Sequence, residues 1–430
     1  MRVELHFSQK TTFARQIFLD MPADADADAD VSALSRSLYF VLRSHPCASA
    51  LYSHGYYVGS LLEPSTSEEA CASAACASAS LSPEMMGSDK LDSKFGSEES
   101  EISAPSTSAS LLRCSLQSLH AEILHLHALQ LMSPNAISFK TSQASTPHIL
   151  IKPHIFEADM HLEKTQTHAP VACALWKSNQ VVDAFQQNEQ HAYLNIASHA
   201  NEDRPAFKLQ LNEGNGACFP WHHDNAGGGT TARDRGSRRK ITVIVYLSEP
   251  PTQGGELVLM PFCKPELERR VTPVVGTVVA FRSECVLHRT LPSFCDKAHN
   301  QRTCFTIWLE SDDAANAPLS CALPPELLTN LRERRGDDAG AVPYSPMWRE
   351  FADKLSTSPA NRIFARLVYR EMFEASLREC FSVGGGETAE KRTRVALAMH
   401  EAHMRSASDA LREVADALTW VLRQRIEENK

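Results

Sequence analysis

No stretch of this sequence approaches the roughly 18 consecutive apolar residues that a membrane-crossing helix requires. The opening segment, MRVELHFSQKTTFARQIFLD, lacks the compact apolar core of a secretory leader. Among the 12 cysteines there is no CxxC pair, which excludes a zinc ribbon and a thioredoxin-like redox motif. An excess of basic charge is missing too. The formal net charge is −9, so no general field draws the chain to nucleic acid or anionic lipid, and any such contact has to be local. The aspartates of ADADADAD, residues 23 to 30, lack the glycine and closing glutamate of a calcium loop, so the repeat reads as a solvated linker. The scattered cysteines suit small buried hydrophobes of a reducing compartment. An intracellular, cytoplasmic protein without a membrane partner is expected.

The chain divides by composition and periodicity into five regions. Residues 1–62 hold a helical stretch that turns strand-like at GYYVGSLL. Residues 63–110 are dominated by Ser, Ala and Glu and read as a disordered insertion. A leucine-periodic helix follows within 111–147; its His125 and His127 lie two apart, about 200° around a helix, and cannot share an ion. Residues 148–310 carry short strand-like runs separated by Gly, Pro and Asn, the pattern of a sandwich or barrel. Residues 311–430 return to helical spacing, with two long amphipathic helices expected on either side of GGGE and room for a partner on their surface. HEAHM, with His400 and His403, falls one residue short of a zinc-protease motif.

The chemistry concentrates in FPWHHDN, residues 219 to 225. Side chains alternate along a strand, so His222 and Asp224 share a face while His223 is turned away. Two histidines and one carboxylate with open positions are the signature of non-heme Fe(II) oxygenases. His288, after the strand GTVVAF, is the candidate third ligand, whereas His299 sits in the polar stretch DKAHNQ. Alternation in RTCFTIWL puts Arg302, Thr306 and Trp308 on one face, and an arginine facing a barrel interior requires an anion. In RKITVIVYL the same reasoning groups Thr242, Ile244 and Tyr246. FEADMH spaces Glu157, Asp159 and His161 two apart, a weaker second metal pattern on one strand.

The order NEGNGACFPWHHDN, RKITVIVYL, GGELVLMP, HRTLPS, RTCFTIWL resembles the 2-oxoglutarate and Fe(II) dependent dioxygenases of the prolyl 4-hydroxylase type, and among them the oxygen-sensing protein prolyl hydroxylases. The resemblance implies a mostly β double-stranded β-helix, or jelly-roll, core with flanking helices and a helical C-terminal extension. It implies Fe(II) on His222, Asp224 and His288, the distal carboxylate of 2-oxoglutarate on Arg302 with Tyr246 assisting, and Thr306 and Ile244 lining the pocket. O2 as co-substrate and ascorbate as reductant follow from it also. The oxygen-sensing enzymes carry tyrosines where this chain has Asn212 and Phe219, and the stretch between His288 and Arg302 is longer here.

The implied reaction is hydroxylation of a protein or peptide, at a prolyl residue, with release of succinate and CO2. The same chemistry on another amino acid, a nucleobase or a small molecule is the alternative, and a non-catalytic jelly-roll interaction protein is a third. Between the ligand strand and KITVIVYL lies AGGGTTARDRGSRRK, where Arg235 and Arg239 are candidate substrate-loop residues. Its single short basic cluster does not suggest nucleic acid.

Overall fold

The computed structural model describes residues 27–62, 107–139, 148–197, 204–225, 238–295, 301–311, 323–336 and 343–430. Two helices, α1 (Ala27–Arg43) and α2 (His45–Ser53), lead into β1 (Tyr56–Ser60). Helix α1 starts inside the aspartate repeat expected to be linker. The Ser/Ala/Glu-rich insertion lies outside the described residues up to position 106; helix α3 (Thr107–Ala128) begins within its expected span. Next come β2 (Ser133–Phe139), β3 (His148–Asp159) and the short helices α4 (Glu163–His168), α5 (Pro170–Lys177) and α6 (Gln180–Gln186).

The remaining strands are β4 (Ala206–Asn212), β5 (Ala217–His222), β6 (Arg239–Tyr246), β7 (Gln253–Gly254), β8 (Leu257–Pro261), β9 (Arg269–Val271), β10 (Thr277–Arg282), β11 (Val286–Phe294) and β12 (Arg302–Glu310). They build two facing antiparallel sheets. The larger runs β1-β10-β6-β12-β4-β3-β2, the smaller β5-β11-β8-β9 with β7 paired to β11. This is the jelly-roll core, in which β4, β6, β10 and β12 of the larger sheet alternate along the chain with β5, β8 and β11 of the smaller.

Period-2 alternation sorts the residues of the large sheet between two cores. Phe305, Ile307 and Leu309 of β12, with Val243 and Val245 of β6, point outward onto Leu34, Leu38 and Leu42 of α1 and Leu116, Leu119 and Ile123 of α3. Cys304, Ile244, Tyr246, Val279 and Phe281 point inward and meet Leu257, Leu259 and Val286 of the smaller sheet. The outer face of that smaller sheet is covered by the C-terminal third. Trp221, Val258, Met260 and Leu287 pack against Trp348, Phe364, Phe373 and Val421.

The region holds six helices, α7 (Pro325–Arg334), α8 (Met347–Ser356), α9 (Asn361–Val368), α10 (Arg370–Phe381), α11 (Gly386–Ser406) and α12 (Asp409–Glu428), and all but α11 contribute to that layer. The two long helices expected around GGGE are each divided. Tyr369 (φ −100°, ψ 29°) breaks the first, and its hydroxyl accepts from the backbone of Cys263 at 2.7 Å. Ser408 breaks the second by capping α12, accepting from Leu411 N at 3.3 Å. All the described cysteines are free. Among the described residues no helix is long and apolar enough to cross a membrane.

Candidate metal centre and co-substrate pocket

His222 ends β5 and pairs in register with His288 on β11, so two imidazoles from antiparallel neighbours share one face; their ring centroids lie 4.2 Å apart. Asp224 follows in the turn. Its Oδ1 stands 3.5 Å from Nε2 of His222 and 3.6 Å from Nε2 of His288. Ligand atoms of the three residues all lie within 4.8 Å of one another, the single such group of three among the described residues. His299 and Arg235 lie outside the described residues. Glu157, Asp159 and His161 do not converge: Glu157 accepts from Lys208 at 2.5 Å, and Asp159 pairs with His161 at 3.1 Å beyond the strand end.

Each imidazole is oriented by the backbone. The carbonyl of Pro220 accepts from Nδ1 of His222 at 2.8 Å, and that of Val286 from Nδ1 of His288 at 3.2 Å. A carbonyl can only accept, so both rings carry the proton on Nδ1 and turn an Nε2 lone pair inward. Asp224 is fixed in the same way. Thr242 and the indole N–H of Trp308 both donate to Oδ2, at 2.7 and 2.9 Å, which leaves Oδ1 to the two histidines. Burial, then the neighbouring His288, pushes the His222 pKa below the ordinary imidazole range. Burial acts to raise the Asp224 carboxyl, but the charge and hydrogen bonds of His288 and His222 outweigh it and hold the pKa well below the usual carboxylate range. Two imidazole nitrogens turned inward and an ionised carboxylate are the donors a divalent metal needs, so the set fits Fe(II).

Arg302 opens β12 deeper in the barrel, 4% exposed, and donates to the Tyr246 hydroxyl at 3.2 Å. Its guanidinium lies 5.0 Å over the Tyr246 ring, and its Nε is buried without a partner. No carboxylate pairs with it among the described residues, so the pocket holds a buried cation that an external carboxylate would satisfy. Thr306 sits opposite Ile244 in register, beside this cation on the same inward face.

The positions where the resembled enzymes carry tyrosine have other work. Asn212, opposite Arg302, accepts from Gly214 N and Ser293 Oγ and donates to Ala217 O, locking the β4–β5 turn. Phe219 faces the His222 ring at 6.1 Å and carries the ammonium of Lys152 at 4.7 Å on its own ring. Lys152 is buried, which pushes its pKa down, and it donates to Asn135, which in turn donates to Glu157 at 2.6 Å. Sequence alternation does not reveal Lys152, because His154 (φ 57°) breaks the regularity of β3. Arg239 donates to the Asp224 carbonyl at 3.3 Å and stacks 4.3 Å over Trp308, so it braces the ligand loop. His223 is turned from the cluster, its Nε2 buried without a hydrogen bond.

Residues 207–310 match the family model of the 2OG-Fe(II) oxygenase superfamily. This segment is a 2OG-Fe(II) oxygenase domain. Its cofactors are Fe(II) and 2-oxoglutarate, with O2 as the oxidant. The oxygenase fold is shared with a prolyl 4-hydroxylase structure from Phytophthora capsici, 24% identical over 91% of this chain and 95% of that one, with a TM-score of 0.57. A prolyl hydroxylase from Trichoplax adhaerens in complex with a hypoxia inducible factor peptide fragment is 14% identical over 67% and 96%, TM-score 0.41. A Pseudomonas putida prolyl-4-hydroxylase is 17% identical over 61% and 96%, TM-score 0.36. No curated protein sequence gives a significant match.

Proposed function

We propose that this oxygenase hydroxylates a protein at a prolyl residue, converting 2-oxoglutarate and O2 to succinate and CO2. The observation that carries the oxygenase reading is the cluster of His222, Asp224 and His288 beside the buried, unpaired Arg302. His222, Asp224 and His288 would hold the iron. When bound, the iron supplies O2 activation coupled to oxidative decarboxylation of 2-oxoglutarate.

The chain's own residues supply position and dryness. Arg302 clamps the far carboxylate of 2-oxoglutarate, and Tyr246 holds the guanidinium in place while offering its own hydroxyl. Ile244, Leu257, Leu259 and Phe281 wall the pocket with apolar surface, which strengthens that charge pair by excluding water. Thr242 and Trp308 keep Asp224 turned to the cluster. The prolyl assignment is supported by the motif order along residues 212–310 and by likeness to the Phytophthora capsici prolyl 4-hydroxylase fold.

The test is direct. Purified protein with Fe(II), 2-oxoglutarate and O2 should form succinate, and incubation with a cell extract should add about 16 Da to proline residues of one or a few proteins. No iron-dependent succinate would overturn the enzyme reading; a 16 Da gain on other residues would move the substrate.

A further inference from the structure

Of the two imidazoles in the metal cluster His222 is the more open, its side chain 34% exposed against 5% for His288. A substrate therefore meets the cluster from the β5 edge. There the Phe219 ring lies stacked beside the His222 ring, with 6.1 Å between their centres. The two face the same way although they are three apart, because β5 and β11 slip in register between the pairs His222–His288 and Phe219–Thr290. The ammonium of Lys152 stands 4.7 Å from the centre of the Phe219 ring, so it is no further from the centre of the His222 ring than those two spacings together.

Lys152 also ends a line of polar side chains that begins in the co-substrate pocket. Thr306 Oγ1 and Cys304 Sγ on the inward row of β12 both donate to Oε1 of Gln210, each at 3.4 Å. Gln210 lies opposite Glu157 in the β3–β4 register. Glu157 accepts from Lys208 at 2.5 Å and from Asn135 at 2.6 Å, and Asn135 in turn accepts from Lys152. An ammonium has three donors, and this one, 8% exposed, has a neutral amide as its hydrogen-bond acceptor among the described residues. The carboxylates around it are engaged elsewhere: Glu157 reaches Lys152 only through Asn135, Asp159 pairs with His161, and Glu379 with Arg289. A buried cation without a bonded anion costs free energy that an arriving anion would offset. The co-substrate does not supply that anion, because Fe(II), Asp224, Arg302 and the two carboxylates of 2-oxoglutarate already sum to zero charge.

We propose that Lys152 is a specificity-determining residue: it binds the carboxylate of an aspartate or glutamate in the substrate polypeptide, laid across Phe219 beside the metal centre. This rests on the protein-hydroxylase reading above and names what that protein carries next to its target. The path from His222 over Phe219 to Lys152 is covered by about three residues of extended chain. The acidic residue therefore lies within about three positions of the hydroxylated one. A neutral side chain in that place leaves the ammonium as it is in the free protein, and a basic one opposes it.

The full-length protein is tested with synthetic peptides holding one central proline in a neutral background. A single aspartate is walked one to six positions along either side, each peptide matched by asparagine and lysine versions. Anisotropy of labelled peptides, with Fe(II) and 2-oxoglutarate under argon, reads binding, and the 16 Da gain in air reads turnover. Within three positions on one side, aspartate should bind about 10-fold tighter than asparagine, the scale of a hydrogen bond between charged groups, and lysine more weakly than either. Further out the three versions should converge. Lys152→Met should erase the aspartate advantage in both anisotropy and KM, and Lys152→Arg should keep it. The peptide series on the parent protein needs no variant, so it decides the matter even if Lys152→Met does not fold. Hydroxylation without an aspartate preference would overturn the proposal and leave the prolyl reading standing. An aspartate advantage that survives in Lys152→Met, with only the KM for 2-oxoglutarate raised, would overturn it by assigning the ammonium to the co-substrate. Aspartate-selective binding lost in Lys152→Met, without any gain of 16 Da on proline, would support the subsite and sink the prolyl assignment. Succinate formed while no peptide binds would overturn the protein-hydroxylase reading and this proposal with it.

Discussion

Trp308 donates its indole N–H to Oδ2 of Asp224 at 2.9 Å, from a strand 84 positions further along the chain. Thr242 donates to the same oxygen at 2.7 Å. Two donors on one oxygen decide which of the carboxylate's faces meets the histidines. Groups that orient a ligand in this way are typically worth about 10- to 100-fold in metal affinity. Trp308→Phe and Thr242→Val should each weaken Co(II) binding by roughly that much, read from the cobalt absorption bands, with circular dichroism unchanged. Unaltered affinity in both would mean that Asp224 is oriented by the loop backbone alone.

Adjacent histidines should behave oppositely. His222 presents Nε2 to Asp224 at 3.5 Å, whereas His223 is turned out toward α9 with its Nε2 unpartnered. His222→Ala, Asp224→Ala and His288→Ala are each expected to abolish tight metal binding and succinate formation. His223→Ala should keep metal affinity within a few-fold of the parent. Loss of metal in the His223 variant would reverse the assignment of faces.

Arg302 and Tyr246 separate charge from orientation. Hydrogen bonds to a charged group contribute about 1.5–3 kcal/mol each, so Arg302→Gln should raise the KM for 2-oxoglutarate by roughly 10- to 150-fold. Tyr246→Phe leaves the guanidinium and should raise it less than about 10-fold. Succinate formation across a 2-oxoglutarate titration measures both, and equal effects would show that the phenol, not the cation, holds the carboxylate.

Glu122 of α3 gives a stability signature away from the site. It accepts from the N–H groups of Val171 and Ala172 at the start of α5, at 2.7 and 3.0 Å, and burial raises its pKa from 4.5 to about 7 despite those bonds. A raised carboxyl binds its proton more tightly in the folded state. Its contribution is therefore complete below pH 4.5 and is lost as pH rises toward 7, by roughly 3 kcal/mol at most. Urea midpoints at pH 5 and pH 8 should differ less in Glu122→Gln than in the parent. An identical difference in both would show that Glu122 does not titrate this way.

How much of this could be seen beforehand depends on distance along the chain. His222 and Asp224 are two apart, and the inward rows of β6 and β12 follow from alternation alone, so the ligand pair and the Arg302–Tyr246 pocket were legible as patterns. Thr242 and Trp308 were placed on those rows, yet their shared hold on one Asp224 oxygen depends on how three strands meet. Arg362 donates to Asn225 from 137 positions away, and no local period links them. The two long C-terminal helices were over-extended because apolar periodicity runs through Tyr369 and Ser408, where a tertiary hydrogen bond and a cap interrupt it. Asn212 and Phe219 stood out as absences of tyrosine, and only the folded chain shows one locking a turn and the other carrying a lysine.

The last third of the chain closes the outer face of the sheet that bears His222 and His288, with Trp221 and Leu287 buried beneath Trp348, Phe364 and Phe373. Barrel and helices should accordingly melt in a single transition, and a protease is not expected to release the barrel as a stable fragment. A single cut anywhere among these helices would silence the metal centre while leaving every one of its ligands in place.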